Sequence, residues 1–283
     1  MIKLLLDVDT GIDDALALFY LAHAQKKGEI EILGSTTVGG NVEVGQTTLN
    51  TLKIWEMLDL DIPVASGAKQ PLMVPLNPAP FVHGDDGLGN TFLPEPKKLP
   101  SEESAAEMIL RLSHEYAGEL TLLTTAPLTN IAVALLQDPS LAKRICKVVI
   151  MGGAVFTGNV SAVAEANIAN DPEAARIVFR SGMEMTLIGL DVTHEVYWEE
   201  QDLQDLVKIA NGRSAFLLKI IDFISTAYES LTGWKRCVLH DPLAAGVCLF
   251  PDLVKAEKRY VDVELNGDLT RGMTVVDRRG RTP

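Results

Sequence analysis

Six apolar runs in this chain show no polar alternation: "IKLLLDVD", "IEILGSTTVG", "IPVASG", "ELTLLTT", "ICKVVIMGG" and "MTLIGLD". A strand with one face in water alternates, whereas a strand covered on both faces reads as continuous hydrophobe. Between these runs lie helical patterns. One starts at about Asp13, and "VEVGQTTLNTLKIWEML", "LTNIAVALL" and "DPEAARIVF" follow with apolar residues three and four apart. Strands alternating with helices predict an α/β fold with a mainly parallel central sheet and helices on both faces. Residues 199–250 read as helical, and "YVDVELNGDLTRGMTVVD" reads as a closing hairpin. Half of the fourteen prolines fall between Pro71 and Pro100. A loop of that length is either functional or disordered. No repeat or linker divides the chain, so residues 1–283 are expected to form one domain.

A net charge of −13 argues against nucleic acid and anionic membranes as partners, because both require basic surfaces. Cys146, Cys237 and Cys248 form no C-x-x-C pair and suit a reducing compartment. "MIKLLL" is too short for a signal segment and no run approaches a membrane span, so a cytoplasmic protein is expected.

The opening "LLLDVDTGIDDALAL" sets Asp7, Asp9, Asp13 and Asp14 within eight residues. In extended backbone, residues two apart share a face, so Asp7 and Asp9 should project together from the strand end. Gly11 permits a sharp turn, which places Asp13 and Asp14 in the first helical turn, where the dipole favours negative charge. Capping and solvation account for one of these acids but not for two that end a buried strand. That strand end is also where parallel sheets bind ligands. The cluster contains no His or Cys, so its oxygens select Ca²⁺ or Mg²⁺. An EF-hand is excluded, since its fifth and twelfth loop positions would be Gly11 and Leu18. A phosphatase of the haloacid dehalogenase type would want Thr or Val where Gly11 stands, and neither a P-loop nor a G-x-G-x-x-G is present.

Three distant stretches fit the same site. "TTAPLTNIA" turns from strand to helix near Thr125, "VAEANIANDPEAA" follows Asn159 and holds Glu165 and Asn167, and "LHDPLAAGV" sets His240 beside Asp241. Each has a plainer reading. Asp-Pro commonly starts a helix, so Asp171, Asp138 and even Asp241 suit caps, and a lone histidine is more often structural. Together, "DVDTGIDDALAL", "TTVGGN", "VHGDDGLG", "APLTNIA", "IMGGAV", "AEANIANDPEAA" and "HDPLAA" resemble the calcium-dependent nucleoside hydrolases of the inosine-uridine-preferring type. The resemblance runs from the first strand to about residue 250.

The resemblance implies cleavage of the N-glycosidic bond of ribonucleosides to free base and ribose, on an α/β fold with a mainly parallel sheet. By position, Asp9, Asp14, Asp241 and the Thr125 carbonyl would hold Ca²⁺, with Asp9 also the base towards a calcium-bound water. Asp13 and Asn167 would take the ribose 2′- and 3′-hydroxyls with Asn41 nearby, and Asn159 and Glu165 the 5′-hydroxyl. Met151 would line the sugar, His240 would assist the leaving base, and His83 would sit in a base-contacting loop. Asp7 would support the others from behind. The loops at 77–90 and 222–236 are expected to contact the base. A homodimer or homotetramer acting on a small nucleoside is expected. Thr10 and Ala166 replace the family's usual proline and phenylalanine, and the "RRGRTP" end implies a missing terminal strand and helix. The alternative is a non-catalytic nucleoside- or sugar-binding protein on the same scaffold, whose mark would be loss of Asp9 or of a metal ligand.

Overall fold

The computed structural model describes residues 1–279. All six apolar runs become strands of one sheet: β1 (Ile2–Val8), β2 (Ile30–Thr37), β3 (Val64–Ser66), β4 (Leu120–Thr124), β5 (Ile145–Met151) and β6 (Met185–Ile188). Their order is β3-β2-β1-β4-β5-β6, and every neighbouring pair is parallel. The chain therefore winds outward from β1 to one edge, returns to β4 beside β1, and winds outward to the other edge. The order reverses between β1 and β4. In open parallel sheets the crevice beyond the strand ends at such a reversal is the usual ligand position.

Both faces of the sheet are covered, which is why its strands carry no polar alternation. Leu4, Leu6 and Val8 pack with helices Ile12–Lys26, Val44–Met57, Gly212–Thr232 and His240–Leu249. Leu5, one residue out of phase, packs with helices Ala105–Glu115, Thr129–Gln137 and Pro172–Phe179. The first helix is buried nearly all round, Asp13 and Asp14 included, and lies against His240–Leu249. A helix with no polar face belongs inside a protein.

The structure departs from the sequence reading in four places. Helix Ala105–Glu115 was not anticipated, although Ser104 and Glu107 form a capping box at its start. Cys237–Val238, inside the stretch read as helical, is a strand that pairs antiparallel with Tyr197–Trp198. The segment 222–236, read as a base-contacting loop, is helical as far as Thr232 and only then leaves the helix at Gly233. The Pro71–Pro100 loop is anchored rather than loose. The Leu72 N–H donates to Asp171, Asn77 to Asn170, and Ala79 to the Asn41 carbonyl. Asp171 is thus more than a cap, because it also accepts from Thr129.

The predicted hairpin forms from Tyr260–Val263 and Thr274–Asp277. Asp262 and Arg271 pin it to Arg180, which caps helix Pro172–Phe179, and to Glu173 in that helix's first turn. The reading of the "RRGRTP" end falls partly outside the described residues. No helix among the described residues is long and apolar enough to cross a membrane.

Candidate active site

The crevice at the reversal is built from three chain ends. The backbone leaves β1 at Val8, and Asp9 follows in the connection to the first helix. The Thr125 N–H donates to the Asp7 carbonyl, so the turn after β4 is tied to β1. His240 and Asp241 open the helix that packs on the first one. These contacts bring together Asp9, Asp13, Asp14 and Asp241, four buried carboxylates separated by up to about 230 residues of chain.

Asp9 Oδ2 accepts the Asn41 N–H at 2.7 Å, while Oδ1 is buried without a hydrogen-bond partner. Asp14 is held on both oxygens: Oδ1 accepts from Thr125 Oγ1 at 2.7 Å, and Oδ2 accepts from the Gly11 N–H at 2.9 Å and Asn41 Nδ2 at 3.2 Å. Asp13 Oδ1 is also buried and unpartnered. Ligand oxygens from Asp13, Asp14 and Asp241 lie within 4.8 Å of one another, so these residues could hold a metal ion. Asp9 is not part of that tightest group.

Burial dominates the electrostatics. It pushes Asp13 up to about 6 and, with repulsion from Asp13, pushes Asp14 up to about 7. Asp9 and Asp241 are driven well above the usual carboxylate range by burial first and by neighbouring carboxylates second. Neutralising buried acids in this way costs free energy, and among the described residues no lysine or arginine pairs with them. Bare oxygens on Asp9 and Asp13, in an all-oxygen donor set, fit a hard divalent cation.

Asp7 goes elsewhere. Its Oδ1 accepts from Thr36 Oγ1 at 2.6 Å and Asn130 Nδ2 at 2.8 Å, behind the cluster. Its partners are thus distinct from the Asn41 N–H that Asp9 accepts.

On the other wall, Asn167 Nδ2 donates to the carbonyls of Thr125 at 2.9 Å and Met151 at 3.1 Å, joining the ends of β4 and β5. Glu165 is buried, and both its oxygens accept backbone N–H groups, from Asn167, Ile168 and Gly153. Asn159 is exposed and accepts from the Ala166 N–H. His83 is buried, with Nδ1 accepting the Ile12 N–H at 3.2 Å and standing 3.8 Å from Asp13. Burial lowers its pKa to about 4, so the ring is neutral.

Two glycines make this crowding possible. A Cβ on Gly40 would fall on Asp9 Oδ2, and one on Gly11 would lie 2.5 Å from His83 Nδ1. Gly40→Ala is therefore expected to drive the Asp9 carboxylate from its place. The overpacking should cost about 1–3 kcal/mol of stability with the secondary structure kept. Thermal melts and far-ultraviolet circular dichroism on the same preparation check both parts.

The comparisons with known proteins meet this geometry. Residues 4–283 match the family model described as inosine-uridine preferring nucleoside hydrolase. The chain belongs to that family. It is 40% identical to Uridine nucleosidase 1 of Arabidopsis thaliana, over 97% of this chain and 82% of the plant protein. It is likewise 40% identical to the inosine-uridine preferring nucleoside hydrolase of Leishmania major, over 99% of this chain and 89% of that one. The solved structure of a purine-preferring ribonucleoside hydrolase from Gardnerella vaginalis superposes with a TM-score of 0.92. It is 36% identical, covering 98% of this chain and 89% of the other. This member of the family is thus an enzyme that hydrolyses ribonucleosides, and the non-catalytic alternative gives way.

Around His240 the hydrolase has partners that the sequence did not disclose. Nε2 meets Tyr228 Oη at 2.6 Å, Nδ1 meets Thr193 Oγ1 at 2.7 Å, and the His194 ring stands edge-on at 5.5 Å. Burial, then the neighbouring His194 and His83, lower the His240 pKa to about 3. Tyr228 and Thr193 lie 12 and 47 residues away, and no spacing rule links them to "HDPLAA".

Proposed function

We propose that this enzyme cleaves the N-glycosidic bond of ribonucleosides to free base and ribose with a Ca²⁺ ion held by Asp9, Asp14, Asp241 and the Thr125 carbonyl. The observation that carries this reading is the set of four buried carboxylates that, among the described residues, no lysine or arginine compensates. A divalent cation in such a site supplies an acidified, oriented water.

The residues of the chain divide the remaining work. Asp9 Oδ1 is the free acceptor, and the Asn41 N–H fixes the other oxygen, so Asp9 takes the proton of the attacking water. Asp13, with its own bare oxygen, and Asn167 take the 2′- and 3′-hydroxyls, with Asn41 beside them. Asn159 and Glu165 face the 5′-hydroxyl, and Met151 lines the sugar. As the base departs, the sugar gains oxocarbenium character, which surrounding carboxylates stabilise. His240, buried and neutral, assists the leaving base, and His83 borders it. A neutral nucleoside needs no basic pocket, in keeping with the acidic chain. Cytoplasmic location and a homodimer or homotetramer complete the proposal.

Removal of one substrate hydroxyl tests the assembled site. Sites built to bind a hydroxyl reject analogues lacking it by up to about 10⁴–10⁵-fold. 2′-Deoxyinosine should be cleaved at least about 10²-fold less efficiently than inosine in kcat/KM, a cautious fraction of that range. Deoxynucleosides lose their bases more readily in solution, so this preference would have to come from the protein. Comparable efficiencies would show that the diol is not gripped by Asp13 and its neighbours.

A further inference from the structure

His240 has a hydroxyl at each ring nitrogen, and the two differ in burial: Tyr228 is half-buried. Thr193 is fully buried on the turn Leu190–Thr193, which follows β6. Asp191 on the same turn accepts the N–H groups of Val155 at 2.6 Å and Phe156 at 3.1 Å, so the turn is held from its far side. Among the described residues, Thr193 Oγ1 makes no hydrogen bond other than that to His240 Nδ1. A buried hydroxyl that did not donate would leave its proton unsatisfied, which native structures avoid. Donation to Nδ1 uses that proton and leaves the ring's own proton on Nε2, because a neutral imidazole donates from one nitrogen and accepts at the other. Nε2–H then points at Tyr228 Oη, 2.6 Å away. Tyr228 is carried by helix Gly212–Thr232, which packs on the turn Pro80–His83, and His83 stands 3.8 Å from Asp13. The ring edge that carries the proton is therefore the edge that meets the Tyr228 hydroxyl.

We propose that Thr193 is a positioning residue for this hydrolase: its hydroxyl fixes His240 as the Nε2–H tautomer and holds that edge towards Tyr228 and the departing base. The inference rests on the reading of His240 as the residue that assists the base. A bystander threonine would serve only to fill space, and valine fills the same space without the hydroxyl.

The test compares Thr193→Val, Thr193→Ser and His240→Ala on inosine and on p-nitrophenyl riboside, whose leaving group needs no proton. Thr193→Val should lower kcat on inosine by about 10-fold or more, part of the about 10²–10⁴-fold that such assistance supplies. KM for inosine and turnover of the nitrophenyl riboside should stay within about twofold, and Thr193→Ser should recover most of the lost rate. Equal losses on both substrates, or no loss on inosine, would overturn the inference. If His240→Ala discriminates between the substrates and Thr193→Val does not, Thr193 alone is wrongly assigned. If His240→Ala does not discriminate, the role given to His240 fails and the inference falls with it. Should Thr193→Val not fold, Thr193→Ala makes the same comparison.

Discussion

Asp9→Asn is expected to lower kcat on inosine by at least about 10³-fold, within the range that a positioned general base supplies and before any loss of metal affinity. The substitution is nearly isosteric, and its consequence follows from the two oxygens of Asp9. Oδ2 is committed to the Asn41 N–H, and the amide oxygen of asparagine can take over that bond. The amide nitrogen then replaces Oδ1, the one oxygen of this carboxylate that no protein group occupies. A proton acceptor becomes a donor, while the packing that Gly40 permits is unchanged. Steady-state kinetics with a thermal melt on the same sample separate chemistry from folding. A loss below about tenfold with a normal melt would remove Asp9 from the reaction.

Asp14→Ala should reduce turnover to near background and abolish the thermal response to calcium. Asp14 is the best-anchored acid of the cluster, with donors from Gly11, Thr125 and Asn41 on its two oxygens. Its carboxylate is thus fixed for a ligand rather than free to swing into water. A ligand that binds only the folded state adds about 2.7 kcal/mol of stability at a hundredfold excess over its Kd. At about 2–4 °C per kcal/mol for a chain of this size class, the wild-type midpoint should rise by about 5–10 °C on addition of Ca²⁺. The variant's midpoint should not move. An unaltered calcium shift in Asp14→Ala would place the ion elsewhere.

The sheet was legible because its strands are buried on both faces, so that "IKLLLDVD" or "ICKVVIMGG" announces itself by hydrophobicity alone. Pairings of two residues, such as Tyr197–Trp198 with Cys237–Val238, carry too little pattern to be seen. Helix Ala105–Glu115 did offer a signal, the Ser104–Glu107 box, set directly after the proline-rich loop. In the site, acids and Asp-Pro or Gly-Gly neighbourhoods were readable because local turns place them. Thr193, Tyr228, Thr36 and Asn130 were not, because a hydroxyl or amide acquires meaning only when the fold brings a distant partner to it. The same holds for Glu165. Its place in the motif was plain, yet its two oxygens turn out to gather backbone from Gly153 to Ile168.

Release of reducing sugar from inosine and uridine, before and after exhaustive chelation and again after graded addition of Ca²⁺, tests most directly the proposed need for a calcium ion among the aspartates of the β1–β4 crevice. Chelated protein is expected to keep its fold but lose at least about 10²-fold in rate, since a bound divalent cation would acidify the water. Calcium should then restore activity in step with the thermal shift. Undiminished release of ribose from thoroughly chelated protein would contradict it.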